Sequence, residues 1–207
     1  DPTLHSIIEI EKVEKMLENS TSQLQLIDKN FVDLIWENQP KTQYTDIFDH
    51  PTSFAGQGRR EKLDILKKFL DQNEIDHYFV SGLDNIAWLL NLRADDIKYT
   101  PLLYSYLLIS KNNKHSLYIK ESSMPEILKK EIQTLININN IENIGSIFNN
   151  INSSESIGLD FNSTTFYFLD LLRKQKINAK NIVNPCILLK SIKNETELDG
   201  AKKAHIR

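Results

Sequence analysis

From about residue 60 to residue 188 the apolar residues keep changing their spacing, from helical to strand-like and back, and this alternation limits the fold more than any other feature. Leu63, Leu66, Phe69 and Leu70 place one apolar face on a helix over 60–72, and residues 76–81 read as a strand followed by a short helix over 83–90. Residues 104–110 and 115–120 read as two strands joined by the polar turn Lys111-Asn112-Asn113-Lys114, a hairpin. Ser123-Met124-Pro125-Glu126 opens a further helix, with Pro in a position the first turn tolerates. A strand over 157–160, a helix over 164–174 and a strand over 179–183 complete the series. The class is therefore α/β, a mixed β-sheet flanked by helices, the hairpin preventing a purely parallel sheet.

On either side of this block the reading changes. Ile7, Ile10, Val13, Met16 and Leu17 recur at helical spacing over 6–18. Gln23-Leu24-Gln25-Leu26 alternates as a short strand would, and Phe31, Leu34 and Ile35 suit a short helix ending near Trp36. Residues 38–58 carry Pro40, Pro51, Gly56 and Gly58 and read as a linker. At the other end, Asn194-Glu195-Thr196-Glu197 sets a capping residue three before a Glu, so a helix starts near Glu195. It runs past Gly200 to Arg207 with no stop signal, so the chain reads as a piece of something longer. Asn is abundant, and the stretch 137–154 reads as low-complexity with no function assigned.

Composition removes several function classes. A net charge of -3, with five Arg among the 25 basic residues, lacks the cationic excess that a phosphate backbone demands, so no nucleic-acid partner is expected. The longest apolar stretches, such as 102–109, fall well short of the roughly 20 residues of a membrane span. No basic segment with an apolar continuation opens the chain, so the expectation is no membrane partner and a cytoplasmic location. A single cysteine, Cys186 in the run Cys186-Ile187-Leu188-Leu189, excludes an internal disulfide and reads as a buried core residue. His5, His50, His77, His115 and His205 are scattered, with no pair at metal-site spacing. Asp95-Asp96 reads as a solvated loop, and no Gly-x-Ser-x-Gly elbow or phosphate loop is present. Arg93 stands out: it leaves an apolar helix with Asp84 as its candidate cap and Trp88 as its anchor. It suits either carboxylate binding or an internal ion pair with Asp95 or Asp96.

The run Leu83-Asp84-Asn85-Ile86-Ala87-Trp88-Leu89-Leu90-Asn91-Leu92-Arg93, followed by Asp96-Ile97 and Pro101, resembles the second domain of the three-domain Xaa-Pro aminopeptidases (aminopeptidase P). Phe31-Val32-Asp33-Leu34-Ile35-Trp36, with Pro40 and Ala55-Gly56, resembles the end of that family's first domain. Lys190-Ser191-Ile192-Lys193-Asn194, Glu197, Gly200 and Ala204-His205-Ile206 resemble the lead-in to its catalytic domain. The resemblance implies three parts: 1–58, the end of a first N-terminal domain and linker; 59–188, a creatinase-type N-terminal α/β domain; and 189–207, the lead-in helix of a catalytic domain. It implies a non-catalytic segment with no metal ligands of its own, in a peptidase that removes the residue preceding proline with two divalent ions, manganese by resemblance. Its partners would be its own catalytic domain and a peptide with proline second, and the whole protein would be a homodimer. Arg93 is the leading substrate-cleft candidate, with Asp96 and Tyr106 behind it; Ala94 stands where the family usually has Gly. The rival readings are a stand-alone binding module on the same fold, or creatinase or prolidase itself, which the segment before residue 60 disfavours.

Overall fold

Strand β2 (His77–Val80) is buried along its whole length, as a strand must be when helices cover both faces of its sheet. The computed structural model describes residues 1–206. Ahead of β2 lie α1 (Ile7–Leu17), α2 (Phe31–Ile35), β1 (Phe48–Asp49), α3 (Thr52–Ala55) and α4 (Arg59–Gln72). After it come α5 (Leu83–Leu90), β3 (Leu92–Arg93), β4 (Tyr106–Ser110), β5 (His115–Ile119), α6 (Glu126–Gln133) and β6 (Ile136–Asn140). The chain continues through β7 (Ser156–Leu159), α7 (Phe166–Lys174), β8 (Asn178–Asn181), α8 (Pro185–Ser191) and α9 (Glu195–Ile206).

Six strands form one mixed sheet in the order β6-β5-β4-β2-β7-β8, and β1 and β3 form a separate two-stranded ladder. The β4–β5 hairpin and the β2–β4 pair are antiparallel, with Tyr106 opposite Tyr118 and His77 opposite Ser110. The remaining pairs β5–β6, β2–β7 and β7–β8 are parallel. Side chains alternate across this sheet as strand geometry requires. Tyr106 and Leu108 of β4 join Phe79, Phe148, Phe168, Ile7 and Ile10 in one core, beneath α1 and α7. Leu107 and Ile109 join Leu63, Leu66, Leu70, Leu89 and Leu90 in the other, beneath α4 and α5. Each such fully buried Leu or Ile contributes about 1.5–3 kcal/mol through removal from water. Gly158 lets β7 lie close to this second core: a Cβ there would stand 2.7 Å from Tyr78 Cδ2 and 2.8 Å from Ile75 Cδ1.

The structure departs from the sequence reading, or adds to it, in four places. Residues 23–26 form no strand; Leu24 and Leu26 are exposed, and alternation without a partner ladder is not a strand. The last strand lies at Asn178–Asn181, and Ile182 and Val183 turn away from the sheet. The linker carries β1 and the one-turn helix α3. The Asn-rich stretch contributes most of β6, in which Ile136 and Ile138 pack inward between exposed or half-exposed Asn137 and Asn139. Among the described residues, no helix is long and apolar enough to cross a membrane.

Candidate functional site at the end of helix α5

Helix α5 is apolar on nearly every side, so it sits in the core, and its C-terminal carbonyls have to find donors away from water. Asn91 ends it in the left-handed region (φ 50°, ψ 43°), a conformation Asn tolerates, and its N–H donates to Ala87 O. Three cations add donors at this end. Arg93 Nη1 donates to Ala87 O at 2.7 Å and Leu92 O at 2.9 Å. Lys62 Nζ donates to Trp88 O and to Asn91 Oδ1, both at 2.7 Å. Arg59 Nε donates to Leu90 O at 2.9 Å. Positive charge belongs at this end of a helix, where the backbone dipoles leave partial negative charge.

The three differ in how their charge is balanced. Arg59 pairs with Asp49 and with Glu131. Neither Lys62 nor Arg93 has a carboxylate within ion-pair distance among the described residues. Lys62 is 1% exposed, and its Nζ lies 4.3 Å from the centre of the Trp88 ring. Burial pulls the Lys62 ammonium down to about 8; Glu197 on α9 opposes the shift, and Arg93 and Arg59 add to it. Burial also lowers Arg93, which nevertheless stays cationic, as Arg does in proteins.

His50 borders the same cluster. Its N–H donates to Asn91 O at 2.8 Å, and its ring stacks on Phe54 with centroids 6.0 Å apart. Burial first, then Arg93 and Lys62, lower its pKa, so the imidazole is neutral at pH 7. Two open pockets share it: one of about 400 Å³ with Asp49, Arg59, Asn91 and Glu131, and one of about 500 Å³ with Phe54, Glu197, Gly200 and Lys203. The β1–β3 ladder, pairing Phe48 with Arg93 and Asp49 with Leu92, ties the arginine to this wall. Helix α9 closes the second pocket. Asn194 caps it, accepting from Glu197 N at 2.9 Å, while its Nδ2 donates to Ala55 O at 2.8 Å, beside Gly56 in the left-handed region (φ 70°).

Arg93 thus lies in this cluster and makes no ion pair with Asp95 or Asp96. Asp96 instead accepts from Thr45 N (2.7 Å), Thr45 Oγ1 (3.0 Å) and Tyr104 N (2.9 Å), pinning the segment before β1 to the one entering β4. Tyr106 faces the other core, its ring 5.1 Å from Phe168 and 6.0 Å from Phe79, and burial raises its phenol pKa. The three candidates do not converge on one point. Asp84 is not the cap of α5, which is Gly82; it pairs with Lys190 on α8. Lys62 and His50 went unnoticed in the sequence: Lys62 shares a helix face with Leu66 but looks like any surface lysine, and His50 lies in the irregular linker. Among the described residues, no three His, Cys, Asp or Glu side chains stand close enough to hold a metal ion.

The chain is similar to known proteins in sequence and in fold. A family model described as the creatinase/prolidase N-terminal domain matches residues 38–197. Over its full length the chain is 30% identical across 223 residues to a probable Xaa-Pro aminopeptidase P of Ajellomyces dermatitidis, covering 36% of that protein. It is 32% identical across 218 residues to a probable Xaa-Pro aminopeptidase P of Sordaria macrospora, covering 35% of it. The chain therefore spans about a third of the length of the curated relatives it matches. Its fold also matches the crystal structure of an X-prolyl aminopeptidase from Caenorhabditis elegans, described as a cytosolic enzyme with a di-nuclear active site. The TM-score there is 0.88 at 23% identity, over all of this chain and 34% of that one. With the family model covering most of its residues, the chain belongs to the creatinase/prolidase N-terminal domain family.

Proposed function

We propose that the chain is the non-catalytic N-terminal part of a metal-dependent Xaa-Pro aminopeptidase, which removes the residue preceding proline from a peptide. The observation that carries this is the similarity of the whole chain to about a third of the length of proteins named probable Xaa-Pro aminopeptidase P. In this reading residues 1–58 end a preceding domain and linker, 59–188 form the creatinase-type domain, and 189–207 lead into the catalytic domain. In this reading the metal chemistry belongs to the rest of the protein. A pair of divalent ions there, manganese in our reading, would polarise the scissile carbonyl and supply the attacking water. The cytoplasm is the proposed location, and a homodimer the proposed assembly.

This segment's own task is to bind and orient. Arg93 Nη1 is occupied by two backbone carbonyls, which hold the guanidinium plane, while Nε and Nη2 make no hydrogen bond among the described residues. That free edge is the geometry with which arginine grips a carboxylate, here one on the peptide or on the catalytic domain. The uncompensated charge of Lys62 behind it adds to the attraction. Asp96 and Tyr106 take supporting places, Asp96 by pinning the loop after Arg93 and Tyr106 by packing under the sheet. Replacing Arg93 by Ala in the full-length enzyme is expected to raise KM or lower kcat for an Xaa-Pro-Xaa tripeptide without unfolding the protein; unchanged kinetics would reduce Arg93 to a helix cap.

A further inference from the structure

We infer that Lys62 is a positioning residue for Arg93, fixing from beneath the Asn91–Arg93 turn through which the arginine reaches the cleft. The inference rests on the cleft reading of Arg93 given above. Both hydrogen bonds of Lys62 Nζ go to the segment that leads into the arginine: Trp88 O in the last turn of α5, and Asn91 Oδ1 at its left-handed end. Asn91 is clamped from its other side as well, Nδ2 donating to Gln57 O at 2.9 Å and its carbonyl accepting from His50 N at 2.8 Å. The turn therefore hangs between α4 and the linker: Lys62 holds it from beneath, while Arg59 at the start of the same helix donates to the adjacent Leu90 O.

A stability argument alone does not explain a lysine here. Residue 62 is 1% exposed and lies on the face of α4 that carries Leu66 into the apolar core. A buried ammonium without a carboxylate carries a desolvation cost that an apolar side chain of the same length would not. The groups facing it are Glu197 from α9, Arg93 from β3, Arg59 from its own helix and Cys186 from α8; none neutralises it by contact. What the charge does achieve is directional. It holds the negative end of a short helix and an Asn side chain in one arrangement, and Arg93 takes its own position from Ala87 O in the same final turn.

The test is a double-mutant cycle in the full-length enzyme, reading kcat and KM on an Xaa-Pro-Xaa tripeptide with Lys62→Met, Arg93→Ala and the pair. Lys62→Met is expected to lower kcat/KM about tenfold to a hundredfold, mainly through KM, by misplacing the arginine. Added to Arg93→Ala it should cost nothing further. Additive losses, or a Lys62→Met enzyme with unchanged kinetics beside an impaired Arg93→Ala enzyme, would overturn the role of Lys62 and leave that of Arg93 standing. Full activity of Arg93→Ala would overturn the cleft reading itself, and with it this one. If Lys62→Met does not fold, Asn91→Gly keeps the left-handed backbone and removes the Oδ1 acceptor; the same non-additivity with Arg93→Ala is required of it, and additivity there overturns the inference.

Discussion

Because Lys62 is buried as a cation, its titration must appear in the stability of the fold. Its pKa in the folded chain is about 8, against an ordinary value of 10.5 that the unfolded chain regains. Between those values the unfolded chain binds a proton that the folded chain has released, so the stability of the folded state rises with pH. At 1.36 kcal/mol per unit the full rise is about 3 kcal/mol, most of it complete by pH 10. Below pH 8 both states are protonated and the cost of burying the charge is present in full. Other groups titrate in the same range, so the quantity to follow is the difference between the parent chain and Lys62→Met, in which they cancel. Urea unfolding of both proteins at pH 7, 8, 9 and 10, followed by circular dichroism and by tryptophan fluorescence, yields that difference. The parent should gain on the variant by about 2–3 kcal/mol from pH 7 to pH 10. A difference that stays flat would show that the ammonium is hydrated in solution, and the clamp on the Asn91 turn would fall with it.

Three further outcomes are expected. Asn194→Ala removes both the cap of α9 and its tie to Ala55 O, and should cost about 1–2 kcal/mol; Asn194→Ser, which restores only the cap, should recover roughly half, measured by urea unfolding. Gly158→Ala drives a methyl to within 2.7 Å of Tyr78 and 2.8 Å of Ile75, both buried, so about 1–3 kcal/mol should be lost; a loss under about 0.5 kcal/mol would mean that β7 moves freely away from that core. Cys186 is fully buried with its thiol pushed up to about 12, chiefly by burial, so it should resist Ellman's reagent at pH 8 until denaturant is added, whereas rapid native labelling would contradict the seat of α8.

What could be read from the sequence was what is encoded locally. Helix α4 declared itself through Leu63, Leu66 and Leu70, the β4–β5 hairpin through its polar turn, and α9 through Asn194 and Glu197, because periodicity and capping act over one or two turns of chain. The misreadings were non-local. Gln23 to Leu26 alternates as well as many strands do but meets no ladder, and strand propensity is mostly a statement about neighbours. Strand β6 does alternate, Ile136 and Ile138 against Asn137 and Asn139, but in a chain so rich in Asn the pattern was lost among similar residues. The site divides the same way. Arg93 showed itself by following an apolar helix, and its partners proved to be backbone carbonyls rather than the neighbouring Asp95 and Asp96. Lys62 carries no mark at all, since only the packing of α5 across α4 makes position 62 an interior one; His50, in the linker, becomes part of the site only through the Asn91 carbonyl.

The central claim is that this segment shapes a cleft whose chemistry resides elsewhere in the protein. The most direct measurement is hydrolysis of an Xaa-Pro-Xaa tripeptide with added Mn²⁺, comparing the 207-residue chain with a chain extended to the full length of its relatives. Release of the first residue by the extended chain alone is the result predicted here. Release by the 207-residue chain itself would contradict the account by placing catalytic groups within these residues, and silence from both would contradict it by removing the peptidase.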